Sequence, residues 1–237
     1  MLSRVIAGDS LSTEEAAALM GQMMDEELTP IQLAGFLVAL RAKGETSDEI
    51  VGFARTMRAR ARPIEIREPV ADTCGTGGDG QGTFNISTAA ALILAACGQP
   101  VAKHGNRAAS GRCGSADVLE ALNVDVSLPP AGVARCIREA GIGFLFAPAF
   151  HPATKFAAIP RRELGVRTVF NLLGPLTNPA VPRYQLLGVS SDDLLDLMAG
   201  SLLQLGVECA LVVHSADGLD EISVAGPTHV REVRRGE

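Results

Sequence analysis

The chain has 237 residues, 47% of them apolar, and a formal net charge of −6. That composition is enough for an ordinary packed core and excludes a disordered chain. The acidic balance argues against a general nucleic-acid binder, which needs a basic face to neutralise phosphates. The length allows one large domain, or one large and one small. The longest apolar run, residues 89–97, is far too short to cross a bilayer, and "MLSRVIAGDSLS" at the start carries no apolar signal core. No membrane association and cytoplasmic residence are therefore expected. Cys74, Cys97, Cys113, Cys136 and Cys209 are scattered without a CxxC pair, which reads as reduced packing residues rather than zinc ligands or a disulfide framework.

The first sixty or so residues read as helices. Ser12-Thr13-Glu14-Glu15, Thr29-Pro30-Ile31-Gln32 and Thr46-Ser47-Asp48-Glu49 each fit a capping box, a hydroxyl followed three residues later by Glu or Gln. Pro30 takes a first helical position, where its missing donor costs nothing. Apolar residues at helical spacing follow, as in Ile31, Leu33, Ala34, Leu37, Val38 and Leu40. A bundle this small should dock on something larger. Residues 58–69, "RARARPIEIREP", read as a linker.

From Val70 onward short strands alternate with helices. The strands are expected at Val70–Asp72, Pro100–Lys103, Gly143–Phe146, Gln185–Val189 and Glu208–Val213. Helices are expected at Ser87–Cys97, Ala116–Leu122, Ala131–Ala140 and Asp192–Leu205. This alternation predicts an α/β fold, a mostly parallel sheet covered by helices, beside the small N-terminal helical bundle. Ligands in such sheets collect at the carboxyl ends of strands. Two unusual segments, "GTGGDGQG" from Gly75 and "KHGNR" from Lys103, both follow expected strands.

The first of these contains Gly75-x-Gly77-x-x-Gly80, formally a dinucleotide fingerprint, but no acid stands about 20 residues further on to hold a ribose hydroxyl. Gln81 stands where a Walker A loop needs lysine. What remains is an anion nest: glycines bring backbone N–H groups close to a ligand, and the next helix opens at Asn85, Ser87 and Thr88 with unpaired N–H groups. The plainer alternative is a tight turn followed by an N-cap. No acid lies between Asp79 and Asp117, whereas Lys103, Arg107 and Arg112 do. A positive island in an acidic chain favours a small polyanion. Lys103 and Arg107 suit phosphate oxygens, and otherwise make a solvated strand end. His104 is given no acid–base role. Asp220 and Glu221 in "HSADGLDE" could hold Mg²⁺ beside substrate phosphates, or simply be solvated loop acids. The acids of "SSDDLLDL" follow Ser191, a candidate N-cap, and are assigned no metal.

The segments "GTGGD" (75–79), "NIST" (85–88), "KHGNR" (103–107), "GSADVLEAL" (114–122), "GIGFLFAP" (141–148), "RRELGVRTVFNLLGPLTNP" (161–179) and "DGLDE" (217–221) occur in order along the chain. Together they closely resemble the anthranilate phosphoribosyltransferases, of the nucleoside phosphorylase class of folds. The resemblance implies transfer of ribose 5-phosphate from phosphoribosyl pyrophosphate to the amine of anthranilate, in tryptophan biosynthesis. It implies a helical domain over 1–65, joined by part of 150–180, and a phosphoribosyl-binding α/β domain over 66–237, with substrates at the cleft and hinge.

The pyrophosphate and ribose contacts that the resemblance implies fall on Gly75, Gly78, Asp79, Thr83, Asn85, Ser87, Thr88 and Lys103. His104, Gly105, Asn106, Arg107, Ala108, Ala109, Ser110, Gly111 and Ser115 complete them. Anthranilate would meet Gly75, Asn106 and Arg161, and Mg²⁺ would be held by Ser87, Asp220 and Glu221. A homodimer formed through the bundle is also implied. Where this chain has Gly111-Arg112 the family more often has a serine pair, so backbone N–H groups would replace a hydroxyl there. Family members continue past this chain's last residue, so the α/β domain is expected to be incomplete at its C-terminus, with an open sheet edge. A nucleoside phosphorylase using inorganic phosphate, and a non-catalytic ligand-binding relative, are the alternative readings.

Overall fold

The computed structural model describes residues 1–108 and 113–235. Helices α1 (Leu2–Ile6), α2 (Thr13–Met24), α3 (Pro30–Lys43) and α4 (Ser47–Ala59) open the chain. Then come β1 (Ala71–Gly75), α5 (Ile86–Ala96), β2 (Val101–Gly105), α6 (Ser115–Ala121), α7 (Pro130–Ala140), β3 (Ile142–Phe146) and the short α8 (Ala147–Phe150). Helices α9 (Ala158–Leu164) and α10 (Phe170–Leu173) follow, with 3₁₀ turns at Pro152–Ala157 and Gly174–Leu176. The last elements are β4 (Tyr184–Gly188), α11 (Leu194–Gln204), β5 (Cys209–Ser215) and β6 (Thr228–Arg234). They form two compact units, one of Met1–Ala61 with His151–Thr177, the other of Arg62–Phe150 with Asn178–Glu237.

In the helical unit all three capping boxes form, around Ser12/Glu15, Thr29/Gln32 and Thr46/Glu49. Glu49 does more than cap. Its side chain is fully buried and accepts from Leu11 N at 2.9 Å, Thr46 N at 2.9 Å and Lys43 Nζ at 3.0 Å. The cap thereby ties the chain ahead of α2 to the α3–α4 turn, and a buried carboxylate needs partners of this kind. Leu19, Met20, Leu37, Leu40, Ile50 and Phe53 make up much of the core.

In the α/β unit one sheet runs β3-β2-β1-β4-β5-β6. Neighbours are parallel except β5 and β6, which are antiparallel from Cys209↔Arg234 to Ser215↔Thr228. Helix α7 turns Val133 and Ile137 onto Leu145 of β3, with Ala102, Val70 and Phe150 in the same cluster. The strands reach further toward the loops than their apolar patterns suggest: Cys74, Gly75, His104 and Gly105 are strand residues, so "KHG" belongs to β2 itself. Strand β6 escapes the sequence reading because "THVREVR" is charged and buries Val233 alone among its described side chains. Helix α11 begins at Leu194, and Ser191 is not its cap. Instead Asp192 pairs with His229 at 2.7 Å and Asp196 with Arg231 at 2.6 Å, both partners supplied by the unforeseen strand.

Candidate active site

Strand β1 lies where the strand order reverses, with β2 and β3 on one side and β4 and β5 on the other. The loop at its carboxyl end therefore opens into the crevice where doubly wound sheets bind ligands. Gly77, Gly78, Gly80 and Gly82 all have positive φ, between 62° and 81°. Those angles belong to a loop whose N–H groups can turn toward one ligand. The 217–221 loop packs directly on it. Gly77 N donates to Asp220 Oδ2 at 3.1 Å, and a Cβ on Gly75 would stand 2.8 Å from that same oxygen. Only glycine at position 75 admits this approach.

The acids gathered here are crowded. Burial raises the Asp220 carboxyl above its ordinary range, and the nearby Asp79 carboxylate raises it further, against the Gly77 N–H bond. Glu221 is pushed up to about 7, chiefly by burial and then by Asp220, with Lys103 and the Ser87 N–H pulling the other way. Crowded, half-buried carboxylates are what a hard divalent cation relieves. Among the described residues no three His, Cys, Asp or Glu side chains form a complete metal cage. Mg²⁺ takes one or two carboxylates and completes its shell with substrate phosphate and water.

Helix α5 begins beside these acids. Asn85 stands at its N-cap position without a capping bond; its amide donates instead to Cys113 O at 3.1 Å. The Ser87 N–H serves Glu221, and the Ser87 carbonyl accepts from Thr73 Oγ1 at 2.7 Å. Thr88 Oγ1 is buried with no hydrogen-bond partner among the described residues. Gly78 and Thr83 are exposed on the loop and Asp79 is half-buried.

Lys103 is not the solvated cation that a strand end would allow. Its side chain is 3% exposed, and Nζ donates to Thr73 O at 2.6 Å and Ser87 Oγ at 3.4 Å. Arg107 is held by the acids of α6. Its guanidinium grips Glu120, at 2.6 Å through Nη2, bonds Asp117 at 3.3 Å and lies 5.6 Å from the centre of the Phe146 ring. Asp117 also accepts from Ala108 N at 3.1 Å and Gly114 N at 2.7 Å, and Ser115 Oγ donates to Asn106 O at 3.3 Å. Asn106 is exposed, while Gly105 packs so closely that a Cβ would reach 2.9 Å from the Phe144 ring. Ala109, Ser110, Gly111 and Arg112 lie outside the described residues. Arg161 is in α9 of the helical unit, its guanidinium 5.1 Å from the centre of the Phe170 ring. A cleft of about 270 Å³ at the amino ends of β4 and β5, lined by Arg183, Val207, Glu208 and Arg235, is at the other end of these strands from the glycine loop.

Sequence reasoning overlooked Asp72, Asn178 and Asp117. Asp72 stands at the end of the expected strand Val70–Asp72, where an acid gives no signal of burial.

The two-unit division has a counterpart in known families. The helical bundle domain of the glycosyl transferase family matches residues 1–61, and the a/b domain of that family matches 67–237. Anthranilate phosphoribosyltransferase of Moorella thermoacetica is 58% identical over 236 residues, 99% of this chain and 70% of that protein. The chain belongs to the anthranilate phosphoribosyltransferase family. The Thermomicrobium roseum member of that family is 58% identical over 237 residues, covering 99% of this chain and 68% of its own length. Among solved structures, the anthranilate phosphoribosyltransferase of Thermus thermophilus superposes with a TM-score of 0.93 at 53% identity, over 98% of this chain and 70% of that one. The Saccharomyces cerevisiae enzyme in complex with PRPP and Mg gives 0.85 at 29% identity, over 94% and 68%.

Proposed function

We propose that this chain transfers the phosphoribosyl group of phosphoribosyl pyrophosphate to the amine of anthranilate, releasing pyrophosphate. The observation that carries the reading is the contact of Asp220 with Gly77 N at 3.1 Å, which sets a crowded acid pair directly on an anion-binding glycine loop. A polyanion and a divalent cation are what such a place accommodates together.

The glycine-loop N–H groups and the first turn of α5 bind the pyrophosphate oxygens, with Asp79, Thr83, Asn85 and Thr88 around them. Lys103 holds a positive charge beside Ser87. Asp220, Glu221 and Ser87 would hold Mg²⁺, which when bound neutralises leaving-group charge. The segment from His104 to Ala108, with Ser115, contributes mainly through its backbone, the Arg107 guanidinium being committed to α6. Arg161 receives the anthranilate carboxylate, for which a guanidinium fork is suited.

In the reaction the bond from the anomeric carbon to pyrophosphate breaks, its electron pair leaving with the pyrophosphate. The neutral amine lone pair then forms the C–N bond, and the amine proton passes to solvent. The nucleophile needs no strong base, so positioning and electrostatics supply the rate. Action as a homodimer in the cytoplasm is part of the proposal. Ile31 and Val38, exposed on a face of α3, supply apolar surface for the first, and free cysteines suit a reducing compartment. Loss of anthranilate fluorescence on adding phosphoribosyl pyrophosphate and Mg²⁺ tests the reading. A folded sample that consumes no anthranilate, or that phosphorolyses nucleosides instead, counts against it.

A further inference from the structure

The two edges of β1 are not alike. Toward β4 the register runs unbroken through five pairs, from Ala71↔Tyr184 to Gly75↔Gly188. Toward β2 it consists of the single pair Ala71↔Val101, although both strands continue for four more residues.

In a regular parallel ladder the next rung would join Thr73 N to Ala102 O and His104 N to Thr73 O. Each of those four backbone groups is instead met by a side chain. Asp72 accepts from His104 N, at 3.4 Å through Oδ1, and from Thr73 N. Asn178 Nδ2 donates to Ala102 O at 2.8 Å and to Asp72 Oδ2 at 2.9 Å. Lys103 Nζ donates to Thr73 O at 2.6 Å. Asp72 and Asn178 are both fully buried.

An ordinary rung would satisfy the same four groups without burying a carboxylate, an amide and an ammonium, each of which carries a desolvation cost. The substitution therefore does something a rung cannot. It puts side chains in place of the ladder between the carboxyl ends of β1 and β2, the strands that lead into the glycine loop and the 104–108 segment. It also leaves Thr73 O free to fix the Lys103 ammonium beside Ser87, at the first turn of α5.

We infer that this replaced rung is part of the phosphoribosyl site, with Asp72 and Asn178 as positioning residues that act through Lys103. The inference rests on the proposed function, because Lys103 matters to turnover only if an anion binds at α5.

The test is a double-variant cycle on the whole chain, read as Mg²⁺-dependent binding of phosphoribosyl pyrophosphate by calorimetry and as kcat and KM for each substrate. Asp72→Asn keeps the shape but presents an amide donor among the Thr73, His104 and Asn178 donors. It should weaken phosphoribosyl pyrophosphate binding about tenfold and leave the anthranilate KM within about twofold, as should Lys103→Met. The double variant should be no worse than Lys103→Met alone, because residues acting as one unit are not additive. Should Asp72→Asn fail to fold, Asn178→Ala, which keeps the carboxylate, enters the same cycle. Effects that multiply, or unchanged affinity in folded Asp72→Asn or Asn178→Ala protein, would overturn the inference. A wild-type chain that binds no phosphoribosyl pyrophosphate would remove the functional reading, and this inference with it.

Discussion

Two acidic clusters stand near the ligand-facing loops of the α/β unit, and their carboxyls shift in opposite directions. Burial drives both Asp220 and Glu221 up; the neighbouring Asp79 carboxyl then raises Asp220, and Asp220 raises Glu221. Asp117, at the start of α6, is held below the ordinary range by N–H bonds from Gly114 and Ala108 and by the Arg107 guanidinium. The side-chain chemistry is the same in both; what differs is whether the protein supplies the counter-charge. Around Asp117 it does, and that cluster is complete as it stands. Around Asp220 it falls short, which is the condition of a site that takes its positive charge from a bound cation.

The most severe test of this contrast is to neutralise the crowded pair. Asp220→Asn combined with Glu221→Gln should lower kcat/KM at least about a hundredfold, since it removes the carboxylates proposed to hold Mg²⁺. The thermal midpoint without Mg²⁺ should hold or rise, because the substitutions relieve repulsion. A variant that unfolds while a refolded remainder keeps full activity would make these acids structural.

The pH dependence of stability separates the clusters next. The folded-state pKa of Glu221 is raised to about 7, so its contribution is full at low pH and is lost as pH rises through about 7. The groups acting on it are Asp220, Lys103, Asp79 and the Ser87 N–H. Asp117 is lowered, so its contribution is present at neutral pH and is lost as pH falls below the ordinary carboxylate range. Melting curves without Mg²⁺ should therefore show the Glu221 loss between the ordinary carboxylate range and about pH 7, and saturating Mg²⁺ should flatten it in wild type. The Asp220→Asn/Glu221→Gln variant should lack that loss with or without metal. A wild-type profile identical to the variant's would undo the contrast.

Smaller effects are expected at the satisfied cluster. Asp117→Asn should lower the thermal midpoint and reduce kcat/KM by less than about tenfold, through loosened ties to Ala108 and Gly114. Arg107→Ala should change the KM for phosphoribosyl pyrophosphate by no more than about threefold, because its guanidinium is occupied by Glu120 and Asp117. A loss as large as that of Lys103→Met would mean that Arg107 leaves α6 to bind phosphate.

The helical caps could be read from sequence because each depends on residues three apart, as Thr29 and Gln32 do. The glycine loop was legible for the same local reason. Strand β6 was not, since its pairing with β5 is long-range and its charged pattern looks like loop. The basic island around Lys103 and Arg107 was real as composition. Lys103, however, is buried and fixed by Thr73 and Ser87, and the Arg107 charge is taken up by Glu120, partners that a count of charges does not pair. Asp72 looked like the last residue of a strand. Its place in a missing rung depends on Asn178, 106 residues away, and the contact of Gly77 with Asp220 spans 143. Neither spacing carries a local signature.

The most direct test of the central claim is Mg²⁺ titration in the presence of phosphoribosyl pyrophosphate, comparing wild type, Asp220→Asn/Glu221→Gln and Asp117→Asn. The account predicts saturable Mg²⁺ uptake in the wild type and in Asp117→Asn, and its loss in the double variant. Equal uptake by all three proteins would contradict it, and would mean that the crowded acids on the glycine loop are not where the cation is held.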